Sequence, residues 1–361
     1  MKKVCTVVGA RPQFIKLAVV SRELRESFQE TLIHTGQHYD TDMSDIFFDE
    51  LEIPKPDYNL GIHPTGGGAH GAMTGRMLMQ IEEVLIQERP DLLLVFGDTN
   101  STLAGALAAV KLHIPVCHVE AGNRLYTLDN PEEVNRIVTD HVSSIHLACT
   151  ASGVDFLRRE GFSDSVHLVG DPMYDAFCRY SARLDGSELA GLTDLEGARV
   201  SLPERFYYMT CHRQENTGRD EELAQIFQAM ERLDAPVIYP VHPRNRERAR
   251  RLSRDCKNMI LTNPVGYCTS ISLVCRAEKI ITDSGGLQRE AFFAQKPCVT
   301  VFDYVAWPET MENGCNRLAK PERDDILNKL GAKVCFDPAY KPFGDGCSAG
   351  RIVEQIQRFL K

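Results

Sequence analysis

The sequence predicts an α/β protein with two domains built on parallel sheets. The chain has 361 residues, which is long for one compact core and suits two domains of ordinary size. Short apolar runs rich in β-branched residues alternate with longer amphipathic segments over most of that length. Strands of a parallel sheet are continuously apolar because helices cover both faces of the sheet, and these runs have that character. A hydrophobic content of 43% and a charged content of 25% are those of ordinary globular proteins.

Predicted strands and helices alternate along the chain. Helices are predicted for the amphipathic segments 101–112, 221–233 and 287–295. Strands are predicted, in order, for KVCTVV (3–8), LLLVFG (92–97), PVCHVE (115–120), VHLVG (166–170), FYYMT (206–210), PVIYPV (236–241), KIITD (279–283) and PCVTVF (297–302). In open parallel sheets, ligands bind beyond the carboxyl ends of the strands, so function is expected in the loops that follow these runs.

The domain boundary is predicted near residue 170, ahead of a polar stretch of weak periodicity at 185–204. The first domain then covers 1–170 and the second covers 171–345. The last segment, 346–361, has apolar residues at helical spacing after Ser348, a predicted N-cap. We expect this helix to pack back on the first domain.

The net charge of −9 and the isoelectric point near 5.7 argue against a nucleic-acid or anionic membrane surface. The apolar run at the N-terminus is about seven residues long, too short for a signal peptide, and no run approaches the roughly twenty residues of a membrane helix. Twelve cysteines occur without any C-x-x-C pair, which indicates reduced and mostly packed thiols. We therefore expect a soluble, cytoplasmic protein.

The first two strand-end loops carry a cationic and an acidic candidate. In GARPQFIK, Arg11 and Lys16 lie at the start of a helix, where a phosphate would be favoured; the alternative is a solvated helix face. In FGDTNSTLAG, Asp98 follows a strongly apolar strand, and it could equally be a helix N-cap.

The third loop adds further carboxylates. Glu120 ends the next strand, and Glu132 and Glu133 follow Pro131 at a predicted helix start. Asp98 and Glu120 should share one rim of the sheet, and the loop can bring Glu132 toward them. Crowded carboxylates repel one another, so one can hold a proton and act as a general acid. For Glu133 we prefer a role opposite the helix dipole.

The second domain has three polar strand ends. His212 and Arg213 lie in MTCHRQEN, His242 lies in YPVHPRNR, and Ser-Gly-Gly begins a helix in ITDSGGLQRE. Glycines let backbone N–H groups approach a diphosphate at a helix N-terminus, and a glutamate one turn later can bind ribose hydroxyls. A lone Ser-Gly-Gly turn is usually only a turn, but its combination with CHRQEN favours a nucleotide site.

Eight motifs in this order resemble those of the non-hydrolysing UDP-N-acetylglucosamine 2-epimerase family. They are G-x-R-P-x-x-I-K, T-G-Q-H, G-D-T-N-S, E-A-G-x-R, P-E-E-x-N-R, H-R-x-E-N, H-P and D-S-G-G-x-Q-x-E. The resemblance implies two Rossmann-like domains whose parallel sheets face a central cleft, similar to the GT-B fold of glycosyltransferases. It also implies a homodimer.

The implied reaction is a cofactor-free epimerisation at C2 of a UDP-sugar, through loss of UDP to a 2-acetamidoglucal and its re-addition. Domain closure would retain the glucal. By matching position, the resemblance assigns catalysis to Asp98, Glu120, Glu132, His212 and Lys16. It assigns UDP or substrate binding to Arg11, Arg124, Arg213, His242, Tyr267, Ser284, Gly285, Gly286 and Glu290.

Neither a metal nor a nicotinamide cofactor is expected. The sequence has no His/Cys/Asp cluster with metal-ligand spacing, and no G-x-G-x-x-G follows the first strand. A UDP-sugar is the expected partner, without nucleic acid or membrane.

Three positions depart from the family pattern: Asn123 replaces a common Leu, and Phe302 and Trp307 occupy arginine positions. The start of the chain and HGAMTGRMLMQIEEVL look more like the branch acting on UDP-2,3-diacetamido-2,3-dideoxy-glucuronate, a surface polysaccharide precursor. TGQHYDTDMSDIFF lacks glutamines that accompany allosteric activation in one bacterial branch, so we do not predict that activation. The alternatives are a GT-B glycosyltransferase, a hydrolysing epimerase and a non-catalytic UDP-sugar sensor.

Overall fold

The computed structural model describes residues 1–37, 47–63 and 70–361. The chain divides into two compact units. The first consists of Met1–Cys178 and Lys341–Lys361, and the second of Arg179–Tyr340.

The first unit contains a parallel sheet of seven strands within the described residues, in the order β3-β2-β1-β4-β5-β6-β7. The strands are β1 Lys3–Val8, β2 Gln29–His34, β3 Tyr58–Asn59, β4 Leu92–Phe96, β5 Val116–Val119, β6 Ile145–Ala148 and β7 Val166–Leu168. From β1 the strand order runs outward in both directions. The loops after β1 and β4 therefore diverge at the point where doubly wound sheets bind ligands.

Helices cover the sheet of the first unit. They are α1 Arg11–Ser27, α2 His70–Glu88, α3 Asn100–Lys111, α4 Pro131–Val142, α5 Ala151–Arg159, α6 Pro172–Ser181, which continues into the second unit, and α13 Ser348–Phe359. Alanines of α3 share a core with Val7 and Val95, and such small side chains let a helix approach the sheet closely. The C-terminal helix α13 packs against α1, where Gln357 donates to Ser27 at 2.8 Å.

The second unit repeats this arrangement with a six-stranded parallel sheet, in the order β10-β9-β8-β11-β12-β13. The strands are β8 Tyr207–Thr210, β9 Val237–Pro240, β10 Met259–Thr262, β11 Ile280–Thr282, β12 Cys298–Val301 and β13 Asn316–Ala319. The helices are α7 Gln214–Thr217, α8 Asp220–Glu231, α9 Arg246–Leu252, α10 Tyr267–Arg276, α11 Gly285–Phe293 and α12 Arg323–Gly331. Here the divergence point lies between β8 and β11.

The predicted α/β class with parallel sheets is confirmed, and all eight predicted strands are present. Strands β2, β3, β6, β10 and β13 were not predicted. The predicted N-cap of the last helix was wrong, because Cys347 is the N-cap and Ser348 is the first helical residue. No helix in the described part of the chain is both long enough and apolar enough to cross a membrane.

Candidate functional site

Gln13 joins the two diverging strand ends of the first sheet. Its Oε1 accepts the backbone N–H groups of Gly9 and Ala10 at 2.8 Å and 3.0 Å, just after β1. Its Nε2 donates to the carbonyl oxygen of Phe96 at 2.9 Å, at the end of β4. Gln13 is buried, so these hydrogen bonds hold the end of β1 and the end of β4 in fixed positions relative to each other. The sequence reasoning missed this role, although Gln13 lies within GARPQFIK.

Lys16 and Glu120 form a buried ion pair beside these strand ends. Their side chains are 2% and 9% exposed, and Nζ of Lys16 contacts Oε2 of Glu120. Glu120 has a φ of 75°, a left-handed conformation that is strained for a residue with a side chain. A Cβ placed on Gly97 would lie 3.4 Å from Nζ of Lys16 and 3.6 Å from Oε1 of Glu120. The ends of β4 and β5 therefore meet at this pair.

Asp98 is held by Arg136 of α4. Nη2 of Arg136 lies 2.5 Å from Oδ2 of Asp98, and Nη1 lies 3.0 Å from Oε2 of Glu133. Burial disfavours the charged guanidinium, but the two carboxylates outweigh it and raise the pKa of Arg136. Asp98 does not cap the following helix, because the N-cap of α3 is Thr99, whose hydroxyl accepts the N–H of Thr102. That alternative interpretation of Asp98 was wrong.

Glu132 and Glu133 differ sharply in their surroundings. Glu132 is exposed on the first turn of α4, whereas Glu133 is fully buried. Oε1 of Glu133 accepts the backbone N–H groups of Leu125 and Tyr126, each at 2.8 Å. Glu133 therefore fixes the loop that follows Glu120. The sequence predicted only that Glu133 would interact with the dipole of the helix.

Arg124 lies inside the first unit. Its side chain is fully buried and pairs with Oδ2 of Asp140 and Oε2 of Glu160, each at 2.7 Å. Arg11, by contrast, is partly exposed, and its guanidinium lies 4.6 Å from the ring centre of Phe47. Of these two predicted ligand-binding arginines, the structure places only Arg11 where a ligand has access.

Three buried side chains bring possible metal-ligand atoms within 4.8 Å of one another: Glu120, Cys149 and Asp171. The ammonium group of Lys16 already lies against the Glu120 carboxylate, where it supplies a positive charge. We therefore assign charge compensation at this cluster to Lys16.

Asp283 joins the diverging strand ends of the second sheet. Oδ2 of this buried carboxylate accepts the backbone N–H groups of His212 at 2.9 Å and Arg213 at 2.8 Å. Nδ1 of His212 lies 3.4 Å from Oδ1, and the imidazole is 41% exposed. The loops after β8 and β11 are thus fixed together with His212 facing outward. The sequence contains the signal, since Asp283 begins the D-S-G-G motif, but its linking role needs the fold.

Arg213 lies against two aromatic rings. Its guanidinium lies 4.4 Å from the ring centre of Phe302, and Nη1 donates to the hydroxyl of Tyr304 at 2.9 Å. Nε donates to the carbonyl oxygen of Asp283 at 2.8 Å. Phe302, one of the departures from the family pattern, therefore supports a predicted ligand-binding arginine.

The Ser-Gly-Gly turn forms the N-terminus of α11. Ser284 is the N-cap, and Gly285 and Gly286 begin the helix with partly exposed backbone. A Cβ on Gly285 would still lie 4.0 Å from Nε1 of Trp307. Glu290, one turn further, is buried. The turn therefore lies at a helix N-terminus, and binding of an anion by its backbone N–H groups stays a prediction.

Trp307, His242 and Tyr267 have separate settings in the second unit. The guanidinium of Arg289 lies 4.1 Å from the ring centre of Trp307, and both residues are buried. His242 is exposed after β9, and its Nδ1 accepts the N–H of Arg244 at 3.4 Å. Tyr267 begins α10 and is buried.

The family described as UDP-N-acetylglucosamine 2-epimerase matches residues 22–357. The chain belongs to this family. It is 44% identical to a UDP-2,3-diacetamido-2,3-dideoxy-D-glucuronate 2-epimerase of Pseudomonas aeruginosa, over 99% of each chain. It is 40% identical to a UDP-N-acetylglucosamine 2-epimerase of Methanococcus maripaludis, over 99% of this chain and 98% of the relative.

Solved structures of the epimerase family share this fold. The crystal structure of the Methanocaldococcus jannaschii UDP-GlcNAc 2-epimerase, in complex with UDP-GlcNAc and UDP, matches with a TM-score of 0.87 and 37% identity. The match covers 99% of each chain. A lipopolysaccharide outer core galactosyltransferase, 12% identical with a TM-score of 0.54, shares the fold alone. The predicted family resemblance, isomerase class and glycosyltransferase-like fold are therefore confirmed.

Proposed function

We propose that this member of the 2-epimerase family inverts C2 of a UDP-linked 2-acetamido sugar by elimination and re-addition of UDP. A carboxylate removes the C2 proton, the C–H electron pair forms the C1=C2 bond, and the C1–O bond breaks to release UDP. Return of a UDP oxygen to C1 with protonation of C2 on the opposite face gives the epimer. No electrons are exchanged with a cofactor in either direction.

One observation carries this proposal: Asp98 and Glu120 follow neighbouring strands at the edge where doubly wound sheets commonly bind ligands, and each is held by its own cation. Removing a weakly acidic C–H proton and returning one to the other face needs two carboxylates in fixed positions. In the proposal Glu132, exposed on α4, is the third proton-handling group. Lys16 neutralises charge beside Glu120.

In the proposal, the second unit binds UDP. The N–H groups of Gly285 and Gly286 suit the diphosphate, because a helix N-terminus stabilises the charge that develops when the C1–O bond breaks. The outward-facing imidazole of His212 and the guanidinium of Arg213 lie at the adjoining strand end. His242, Tyr267, Ser284 and Glu290 complete the proposed binding set of this unit. In the first unit, we propose Arg11 as a cation that binds the substrate. We assign Arg124 to maintaining the fold, because it is buried and paired.

The relatives suggest two substrates. We propose UDP-N-acetylglucosamine and UDP-2,3-diacetamido-2,3-dideoxy-glucuronate as candidates, since relatives at 40% and 44% identity bear these names. Synthesis of surface polysaccharide precursors would follow from either. The twelve cysteines all lie in the described part of the chain and none is in a disulfide, which suits the reducing cytoplasm. We also propose that the protein forms a homodimer. Its molar mass, measured by light scattering during size-exclusion chromatography, would test this.

The test is exchange of the C2 proton. The protein is incubated with each UDP-sugar in deuterated water, and C2 is followed by NMR. Deuterium at C2 with a mixture of the gluco and manno isomers is expected, and the faster substrate identifies the branch. Tight UDP binding without exchange in either sugar would contradict the proposed reaction. Release of free amino sugar would indicate hydrolysis instead.

A further inference from the structure

A buried charged network lies beneath the loops that carry Asp98 and Glu120. His118 of β5 is fully buried, with Nδ1 2.6 Å from Oδ1 of Asp140 and Nε2 2.7 Å from the carbonyl oxygen of Gly97. Asp140, on α4, is fully buried as well. The Gly97 carbonyl belongs to the peptide bond that leads into Asp98. One imidazole therefore connects a buried carboxylate to the backbone of a proposed catalytic residue.

Both hydrogen-bond partners of His118 can only accept. The Gly97 carbonyl has no hydrogen to donate. Asp140 is paired with the buried guanidinium of Arg124, a permanent cation that favours the ionised carboxylate, which has no hydrogen to donate. A neutral imidazole carries a hydrogen on only one ring nitrogen. The lone pair of its other nitrogen would then face an oxygen atom of Asp140 or Gly97, and the two would repel each other. Only the imidazolium form satisfies both contacts.

The same carboxylate also holds the loop after Glu120. Oδ2 of Asp140 accepts the N–H of Gly122 at 3.1 Å and lies 2.7 Å from Nη1 of Arg124. Glu160 in turn binds Arg124 through two contacts of 2.7 Å. His146 of β6 approaches from the other side and lies 2.7 Å from the Asp140 carbonyl oxygen. Among the described residues, Arg124, Glu160 and His146 are therefore charged or titratable groups around the His118–Asp140 pair.

The two loops need such support because their backbones are unusual. Gly97, Glu120 and Gly122 have φ values of 64°, 75° and 83°. A non-glycine residue in this region is strained and persists only where its surroundings fix it. The network supplies fixed contacts on both sides of Glu120, at Gly97 through the neighbouring strand and at Gly122 through the following loop.

We propose that His118, as an imidazolium paired with Asp140, is a positioning residue that aligns Asp98 and Glu120 for proton transfer. The role rests on the proposed function. His118 is fully buried, so its effect is expected on the chemical step rather than on UDP binding.

The test compares His118→Gln and Asp140→Asn with His141→Gln. A glutamine at 118 has a single NH2 group and cannot donate to both partners in the imidazolium geometry. His141 is an exposed neighbour on α4 whose Nδ1 lies 2.9 Å from the Ile137 carbonyl oxygen. Since a misplacement of about 1 Å can lower a rate about 100-fold, we expect kcat for C2 exchange to fall by that order in the first two variants. KM and the Kd for UDP should change less than about threefold, and His141→Gln should match the wild type.

The protonation state is measured separately by NMR of the wild-type protein with ¹⁵N-labelled histidine at neutral pH. The resonances lost in His118→Gln identify the residue, or those shifted in Asp140→Asn if the first variant does not fold. Hydrogens on both ring nitrogens are expected, and a single ring hydrogen overturns the proposal. Normal kcat in a folded His118→Gln variant also overturns it, even if its melting temperature falls. Failure of the wild type to exchange C2 hydrogen would instead overturn the proposed function.

Discussion

Arg136 binds Asp98 and Glu133 with the two ends of one guanidinium, at 2.5 Å and 3.0 Å. Glu133 in turn accepts the backbone N–H groups of Leu125 and Tyr126. The carboxylate after β4 is therefore fixed to the loop after β5 through a single arginine. This connection makes the position of Asp98 dependent on a residue that no strand-end pattern indicates.

Replacing Arg136 by lysine should lower kcat while UDP binding persists. Lysine keeps the charge but cannot present two nitrogens to two carboxylates in a fixed plane. With Asp98 less precisely held, we expect kcat for C2 exchange to fall on the order of 10- to 100-fold. Arg22→Lys is the control, because Arg22 pairs with Glu52 at an exposed position. Equal rates for the two variants would show that the bridge does not position Asp98.

Asp98→Asn should abolish C2 exchange without loss of UDP binding. The amide is close in shape to the carboxylate but cannot take a proton, and general acid–base groups contribute about 10²- to 10⁴-fold to rates. Asp91→Asn is the control, because Asp91 precedes the same strand and pairs with the exposed Lys2. Deuterium incorporation and calorimetric titration with UDP give the two readouts. A rate of C2 exchange within a few fold of the wild-type rate would show that Asp98 does not transfer the proton.

Lys16→Met should destabilise the fold far more than Lys2→Met. Glu120 would remain buried without its cation, and breaking a buried ion pair from one side costs about 3–5 kcal/mol. The Lys2–Asp91 pair is exposed, and such pairs contribute about 0–1 kcal/mol. Urea denaturation of both variants gives the two free energies of unfolding. Similar values for the two would mean that Glu120 finds another partner in the variant.

Much of the fold is readable from the sequence because β1, β4, β5 and β11 are mostly apolar runs. Two of the missed strands lack that pattern: β2 is QETLIH and β13 is NRLA, in which polar residues interrupt the apolar run. These polar residues have partners from elsewhere in the fold. Glu30 of β2, for example, accepts from Thr6 of β1 at 2.7 Å. Local periodicity cannot report such contacts.

The positions of candidate residues were predictable where they follow a strand. Asp98 follows β4 and Glu120 follows β5, as the sequence predicted, and Lys16 lies in the helix after β1. Their roles stay predictions. The sequence could not separate an arginine that faces solvent from one paired inside the fold, as Arg124 is, because its partner Glu160 lies 36 residues away. The sequence also could not show which of Glu132 and Glu133 is buried, because the rotation of α4 about its own axis decides which of the two side chains faces the core.

Trp307→Arg should change the preference between the two candidate UDP-sugars. The indole stacks on Arg289 and lies beside Gly285 at the helix N-terminus proposed to bind UDP. An arginine there would replace an attractive cation–π contact with repulsion between two guanidinium groups. Trp307→Phe is the control, because it keeps an aromatic face for Arg289. An unchanged ratio of kcat/KM for the two sugars in Trp307→Arg would exclude Trp307 from substrate selection.

Acid should destabilise the wild type through Asp140. The pKa of Asp140 in the fold is about 2, below the value of about 3.9 for an unfolded chain. A carboxylate with a lowered folded-state pKa contributes stability above the unfolded pKa and loses it as pH falls toward the folded pKa. The urea concentration at the unfolding midpoint of the wild type should therefore decrease as the pH is lowered from about 5 to about 2.

Asp140→Asn should be less stable at neutral pH, and its midpoint should decrease less over that pH range, because its side chain does not titrate. Asp155→Asn, at an exposed position on α5, should follow the wild-type curve. Parallel curves for the wild type and Asp140→Asn would mean that Asp140 is not the carboxylate responsible for the acid sensitivity.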